Sequence, residues 1–331
     1  MILKQVKQNG VEVMAIITIL LAGMAISMFA GATSQYIAAP QDGTPLFNTI
    51  YQHLFGGHIS IASQITSIIL LLIETFMIIF LNSNFEFTRA KPSMFMIVYI
   101  PAALSLIPCN TLLPEQIANI FIALGLIKMF SCHGMDNATF PVFDSGLLFG
   151  IATLFCLPAA AMLAVGIVAM IIFRPLKGNE LMVFLLGFAT PILFYTAIYY
   201  LAEGNISELA DYISGRFSTA MPHAGRTTTL ATLAHIAIIA LASVMIIGEY
   251  PKFNLVSSQS YKVMFIMYIS MVILCQTPYF GVQILRMGTI PLAMMYVTVF
   301  QDLKRTAWLE SLFYLFLIVY MGVHALWYMG I

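Results

Sequence analysis

The longest apolar stretch of the chain runs from Ser145 to Phe173 without a charged residue. As one helix of about 30 residues it would rise about 45 Å, which exceeds a hydrocarbon core of roughly 30 Å. Pro158 lies near its middle. Proline removes a backbone donor and restricts the residue before it. The sequence therefore predicts two short helices that bend back at Leu157–Pro158.

A basic turn and a further apolar run follow this hairpin. The turn spans Arg174–Lys177, and Lys and Arg are retained on the cytoplasmic side during insertion. The run that continues to Tyr200 is predicted as a helix with a glycine and a proline inside it. Asp144, just ahead of the first hairpin helix, is expected to cap it. The whole stretch is typical of a membrane protein.

Composition supports the same conclusion. Apolar residues make up 61% of the 331 residues and charged residues only 8%, whereas a soluble domain carries about a quarter. A water-soluble fold is thereby excluded, and a net charge of zero argues against nucleic-acid binding. The four cysteines have no metal-ligand spacing and are expected to be small buried side chains, so no metal site is predicted. No motif specifies a cofactor.

The hydropathy pattern predicts an all-α polytopic membrane helical bundle that forms one integral domain over residues 1–331. It indicates about 11 transmembrane helices. Besides the hairpin and the run that follows it, the predicted spans cover residues 13–29, 61–81, 95–107, 115–130, 227–248, 263–283, 290–301 and 308–328. The third and the tenth spans are short enough to be broken or partly re-entrant.

Lysine and arginine positions orient these spans. With a cytoplasmic amino terminus, eleven of the fourteen basic residues lie inside, and only Arg216, Arg226 and Arg286 lie outside. The inner set is Lys4, Lys7, Arg89, Lys91, Lys128, Arg174, Lys177, Lys252, Lys262, Lys304 and Arg305. The odd number of spans then makes the carboxyl terminus extracytoplasmic, in a multi-pass protein of the inner membrane.

Two extracytoplasmic loops are long enough to contain short interfacial helices. The first loop includes LFNTIYQHLF, in which Leu46, Ile50 and Leu54 share a face, with Phe47 and Tyr51 beside it. Such a helix is expected to lie in the plane of the membrane interface. The second loop, residues 203–226, includes the similar segment ISELADYI.

Glu74 is the most costly residue of the predicted spans. It lies in LLLIETFMII, where a carboxyl costs several kcal/mol unless it is protonated, paired or in contact with water. One interpretation is a proton-binding or substrate-binding site. The alternative is a neutral acid that is hydrogen-bonded to a neighbouring helix.

The three outer arginines are candidates for binding a lipid phosphate. Guanidinium groups bind phosphate in a bidentate manner. Arg216 has the acids of its own loop as alternative partners, whereas Arg286 has no acid near it in the sequence. Arg286 is therefore the stronger candidate.

The segment FDSGLLFGIATLFCLPAAAMLAVGIVAMIIFRPLKGNELMVFLLGFATPILFY resembles a family of uncharacterised polytopic inner-membrane proteins of Gram-negative bacteria. The shared pattern is an acid before a Gly-rich helix, a break, a basic turn and a Gly–Pro helix. The carboxyl-terminal GTIPLAMMYVTVFQDLKRTAWLESLFYLFLIVY is similar to the end of that family. The resemblance implies a fold rather than an activity.

A more distant resemblance is to the C-type membrane glycosyltransferases, which use polyprenyl-phosphate sugars. Those proteins also begin with one span, a long outer loop with amphipathic helices and short paired helices before a basic turn. The resemblance implies a catalytic acid in the first outer loop, where Asp42 stands alone; the usual acidic pair is absent. It also implies that Arg286 and at least one of Arg216 and Arg226 converge near Asp42.

These observations leave three classes of function. The first is an envelope or glycan biogenesis protein that handles a polyprenyl-phosphate-linked substrate. The second is a non-catalytic subunit or scaffold that contacts other membrane proteins, and the third is a transporter. The first predicts a membrane lipid as partner, with Asp42 and an arginine at the mouth of its groove.

Overall fold

A computed structural model provides the fold. The residues it describes are 43–57, 59–85, 87–88, 90–106, 111–135, 137–173, 177–203, 207–218, 233, 237, 255–275, 277, 281–302, 311, 313–318, 320 and 322. Every regular element among these residues is helical, so the all-α prediction is confirmed. The predicted first span and nearly all of the eighth lie outside the described residues, as do Asp42 and Arg226.

The described helices follow one another with short connections. They are α1 (Pro45–Phe55), α2 (Ile61–Phe85), α3 (Pro92–Leu106), α4 (Pro114–Ser131), α5 (Thr139–Phe155), α6 (Met162–Phe173), α7 (Gly178–Glu203), α8 (Ser207–Ser218), α9 (Leu255–Cys275), α10 (Gly281–Met287) and α11 (Thr289–Asp302). Within the described ranges, three helical segments are long and apolar enough to cross a membrane, namely Ile61–Phe85, Gly178–Ala202 and Ser258–Cys275.

Most predicted boundaries agree with these helices to within a few residues, and one does not. The ninth span was predicted over residues 263–283, but α9 begins at Leu255 and ends at Cys275. The sequence gives the reason, because Pro278 follows and the residues ahead of a proline disfavour the helical conformation. A separate short helix, α10, then starts at Gly281.

The predicted break at Pro158 is present. Helix α5 ends at Phe155, a 3-10 helix covers Leu157–Ala161, and α6 begins at Met162. The chain bends back here, because the side chains of Phe149 on α5 and Gly166 on α6 both face the ring of Phe184. The predicted cap is wrong: α5 begins at Thr139, so Asp144 lies inside the helix and binds Lys128 at 2.9 Å.

Helices α5 and α7 pack in parallel through glycines. A β-carbon added to Gly146 would meet the backbone of Phe184 and Phe188, and one added to Gly150 would meet Phe188 and Pro191. The contacts advance in the same direction along both helices, which makes the pair parallel. Gly146 and Gly150 are four residues apart, the spacing of small residues that lets two membrane helices approach closely.

The remaining contacts sort the helix ends into two groups. Helix α4 runs antiparallel to α5, with Lys128 beside Asp144 and Phe121 stacked on Phe155 at 5.6 Å. It runs parallel to α2, because Ser67 binds Gln116. Phe87 and Phe173 both contact Phe130 near the end of α4.

We name the end of the bundle that contains Phe87, Phe130 and Phe173 the basic end. Lys91, Lys128, Lys177 and Lys262 lie there, next to these aromatic residues or at the start of the helices that leave them. The opposite end contains α1 and is named the α1 end. Of the five Lys and Arg side chains that the structure describes, only Arg286 lies at the α1 end.

Helix α11 occupies the interior of the bundle. Every described side chain from Thr289 to Phe300 is buried, and the helix contacts α3, α9 and α10. Tyr296 of α11 is hydrogen-bonded to Tyr320 at 2.8 Å, and both hydroxyls are fully enclosed. The predicted short tenth span is thus a central helix that protein surrounds on all sides.

Candidate functional site

Helix α1 is the predicted amphipathic helix of the first outer loop, but a different face is buried. Phe47 and Tyr51 are buried, whereas Leu54 is 67% exposed. The prediction that Leu46, Ile50 and Leu54 form the inner face is therefore wrong. The two aromatic residues pack with Leu112 against α2, α4 and the end of α5. Aromatic rings bury more area than leucine, and this pocket accommodates them.

Three polar contacts fix α1 in this position. The Thr44 side chain accepts a hydrogen bond from the Phe47 amide at 3.3 Å, which caps the helix. The same hydroxyl donates to the carbonyl of Leu154 at the end of α5. The Tyr51 hydroxyl is bonded to Thr111 at 3.1 Å. Helix α1 is thus tied to the ends of two bundle helices, and Gly56 ends it in a left-handed conformation.

Arg286 lies at the same end and forms a nearly buried ion pair. Its guanidinium donates to Oε1 of Glu115 at 2.8 Å, with side-chain exposures of 16% for the arginine and 1% for the acid. Glu115 is in the first turn of α4, where the helix dipole stabilises a carboxylate. Arg286 is in the last turn of α10. The acid that the sequence near Arg286 lacks comes from a helix that lies far away along the chain.

Glu74 lies deeper, near the middle of α2. Its side chain is completely buried, and its Oε2 accepts a hydrogen bond from the Tyr99 hydroxyl of α3. The Asn119 amide of α4 lies against the same carboxyl, although without well-formed hydrogen-bond geometry. The expectation that Glu74 contacts a neighbouring helix rather than lipid is confirmed.

A polar seam connects this carboxyl to the α1 end. Gln116 and Ser67 exchange two hydrogen bonds, Ser67 Oγ to Gln116 Oε1 at 2.9 Å and Gln116 Nε2 to the Ser67 carbonyl at 3.2 Å. Glu115 and Asn119 are four residues apart and therefore share one face of α4. The seam thus runs from Arg286 through Glu115 and Asn119 to Glu74.

Several buried polar atoms of this seam have no hydrogen-bond partner among the described residues. They are Oε2 of Glu115, both amide atoms of Asn119 and Oε1 of Glu74. Burying such atoms unpaired costs about 1–3 kcal/mol each. The seam therefore has hydrogen-bonding capacity that its own side chains do not use.

The structure brings together some of the predicted site residues. Arg286 and the helix that follows the Asp42 loop both contact the amino end of α4, through Glu115 and Thr111. Arg216 belongs to α8, but its side chain is outside the described set, as are Asp42 and Arg226. Glu74 does not join Arg286; it lies about two helical turns deeper than the Ser67–Gln116 contact.

Sequence reasoning missed Glu115, Gln116, Asn119 and Tyr99. A signal was present, since PEQIANI places three polar residues on successive turns at the start of an apolar run. An acid at the first turn of a span is usually a solvated cap. Only the tertiary packing of α10 on α4 shows that Glu115 is enclosed.

Comparisons with known proteins return no match for this chain, either with a family, with a curated protein or with a solved structure.

Proposed function

We propose that the chain is a multi-pass protein of the inner membrane, with about eleven spans, a cytoplasmic amino terminus and an extracytoplasmic carboxyl terminus. The basic end then faces the cytoplasm, in keeping with the retention of Lys and Arg on that side. Helix α7 supports a lipid environment, because large apolar side chains along it are more than half exposed. They include Met182, Leu186, Leu193, Phe194, Ile198 and Leu201. A face of this kind is unfavourable in water.

This topology predicts the outcome of cysteine labelling. Single cysteines placed at Gly178, in the turn at the basic end, and at Gly57, after α1, should react with a membrane-impermeant thiol reagent from opposite sides. Gly57 should be labelled in intact spheroplasts and Gly178 only after permeabilisation. Labelling of both positions from one side would contradict the proposed orientation.

We further propose that the protein acts in envelope or glycan biogenesis and binds a polyprenyl-phosphate-linked substrate at the α1 end. The observation that carries this proposal is that α1 and Arg286 meet at the amino end of α4, through Thr111 and Glu115. An amphipathic helix at the interface marks the level of the lipid headgroups. A guanidinium at that level attracts a lipid phosphate.

Glu115 gives this arginine a defined position. The pair holds the guanidinium at the first turn of α4 while 16% of the arginine side chain stays accessible. Gln283, one turn earlier on α10, lies 4.0 Å from Cys156, and the neighbouring Phe155 carbonyl accepts a hydrogen bond from Thr44. The helix of Arg286 and the segment that follows Asp42 therefore approach the same corner of the bundle.

The proposal extends to three residues on sequence grounds. Asp42 would act as the general base or bind the acceptor, and Arg216 and Arg226 would supply further positive charge to a phosphate or diphosphate. Asp42 precedes Thr44 by two residues, which favours its placement at this corner.

Lipid binding by two matched variants tests the phosphate site. Replacing Arg286 alone would leave Glu115 buried and unpaired, so a comparison of Glu115→Gln with the double variant Glu115→Gln, Arg286→Gln isolates the cation. Charge-assisted hydrogen bonds contribute about 1.5–3 kcal/mol, so the double variant should bind a polyprenyl phosphate at least about tenfold more weakly. Binding can be measured by native mass spectrometry or by microscale thermophoresis in detergent.

The uncharged polyprenol is the control ligand and should bind both variants equally. Equal affinity of the two variants for the polyprenyl phosphate would exclude Arg286 from the site. A non-catalytic membrane subunit or scaffold that contacts other membrane proteins would then be the favoured function.

A further inference from the structure

A buried carboxyl with an incomplete hydrogen-bond set lies at the inner end of the polar seam. Glu74 is fully buried near the middle of a 25-residue apolar helix. A carboxyl at that depth is expensive and marks a functional group unless its environment satisfies it completely. Here one oxygen is satisfied by Tyr99, and the other has no hydrogen-bond partner among the described residues.

The groups that face Glu74 come from the two helices that pack on α2. Helix α3 contributes the Tyr99 hydroxyl and α4 contributes the Asn119 amide, both completely buried. One turn further along α4 are Glu115 and its partner Arg286. No described Lys, Arg or His contributes a charge at Glu74 itself. The carboxyl thus has dipolar neighbours that suit either of its protonation states.

The unused atoms of the seam follow one another toward the α1 end. Oε1 of Glu74 is next to the Asn119 amide, whose nitrogen and oxygen are both unpartnered, and Oε2 of Glu115 lies one turn beyond. An amide is a donor and an acceptor, so it can relay a hydrogen bond between two acids. A purely structural acid would be expected to use its second oxygen in a bond to its neighbour.

We propose that Glu74 is a proton-exchanging group, reached from the α1 end along the face of α4 that carries Glu115 and Asn119. The exchange is a simple acid–base step. The Oε1–H bond of Glu74 breaks, the electron pair stays on the carboxylate, and the proton leaves through the seam to the water at the α1 end. The proposal is independent of lipid binding at Arg286 and adds a proton-coupled step to the function of the protein.

Infrared difference spectroscopy on the purified full chain in lipid nanodiscs tests this assignment. A pH jump should produce a carbonyl band of a protonated carboxylic acid that disappears as the pH rises and shifts in deuterated water. The band should be absent in Glu74→Gln and retained in Asp144→Asn, an acid that is 45% exposed and bonded to Lys128 at the basic end. A band that does not change with pH, or that persists in Glu74→Gln, would overturn the proposal.

A second variant keeps the test decisive where Glu74→Gln does not fold. Asn119→Leu retains the carboxyl and removes its amide neighbour, so the frequency of the band should change; an unchanged frequency would show that the band belongs to another acid. The route is tested by kinetics. Glu115→Gln should slow the decay of the band after the pH jump at least about tenfold, whereas Asp144→Asn should not. Equal rates in both variants would overturn access from the α1 end.

Discussion

Replacement of Gly150 by alanine is expected to destabilise the bundle strongly. The new β-carbon would overlap the Phe188 carbonyl and lie 2.6 Å from Cγ of Pro191, so two helix backbones must separate. Overpacking of this kind costs about 1–3 kcal/mol, and here it opens the most extensive helix contact in the described part of the chain. We expect a lower midpoint in thermal unfolding, followed by near-ultraviolet circular dichroism in detergent.

The same substitution at Gly178 is the matched control. Nothing lies within 4 Å of a β-carbon at that position, which is at the first turn of α7. Alanine is a better helix former than glycine by roughly 1 kcal/mol in a helix interior, so Gly178→Ala should be neutral or slightly stabilising. If Gly150→Ala were also neutral, the close parallel packing of α5 on α7 would be wrong.

Removal of one partner of the Glu115–Arg286 pair should have an effect at least as large. Arg286→Ala leaves the carboxylate of Glu115, which is 1% exposed, without its cation. Breaking a buried ion pair in this way costs about 3–5 kcal/mol. Glu115→Ala should cost less than Arg286→Ala, because the arginine is more exposed and can extend toward water.

The double variant Glu115→Leu, Arg286→Met separates this penalty from the contribution of the pair itself. An apolar pair of similar volume often replaces a buried ion pair at little cost, so the double variant should unfold at a higher temperature than Arg286→Ala. Chemical and thermal unfolding of the three variants in the same detergent provides the comparison. Costs that simply add would show that the two side chains are not coupled.

Hydropathy and proline positions were sufficient to predict much of the fold. The break at Pro158, the short buried α11 and the interfacial helix α1 all follow from the lengths of apolar runs and from where their backbone donors are interrupted. These features are local. A one-dimensional pattern therefore contains the information that determines them.

The candidate site depended on information that the local sequence does not contain. Glu115 and Arg286 are 171 positions apart, and Glu74 and Tyr99 belong to different helices. The buried face of α1 shows the same limit. Two apolar stripes are adjacent on that helix, and only the shape of the pocket around Leu112 selects the stripe of Phe47 and Tyr51. Charge pairs and interfaces of this kind are properties of the packed bundle.

The central position of α11 has a consequence for the biosynthesis of the protein. The helix has 14 residues, so it rises about 21 Å and is shorter than the hydrocarbon layer. Its partner α3 leaves the ribosome much earlier and contacts α11 along a buried face. Until α11 emerges, that face has no protein partner, so the amino-terminal helices cannot complete their packing as they are made. Final assembly of the bundle therefore occurs late, after translation has passed residue 302, and truncations upstream of α11 should yield chains that are recognised by membrane quality-control proteases.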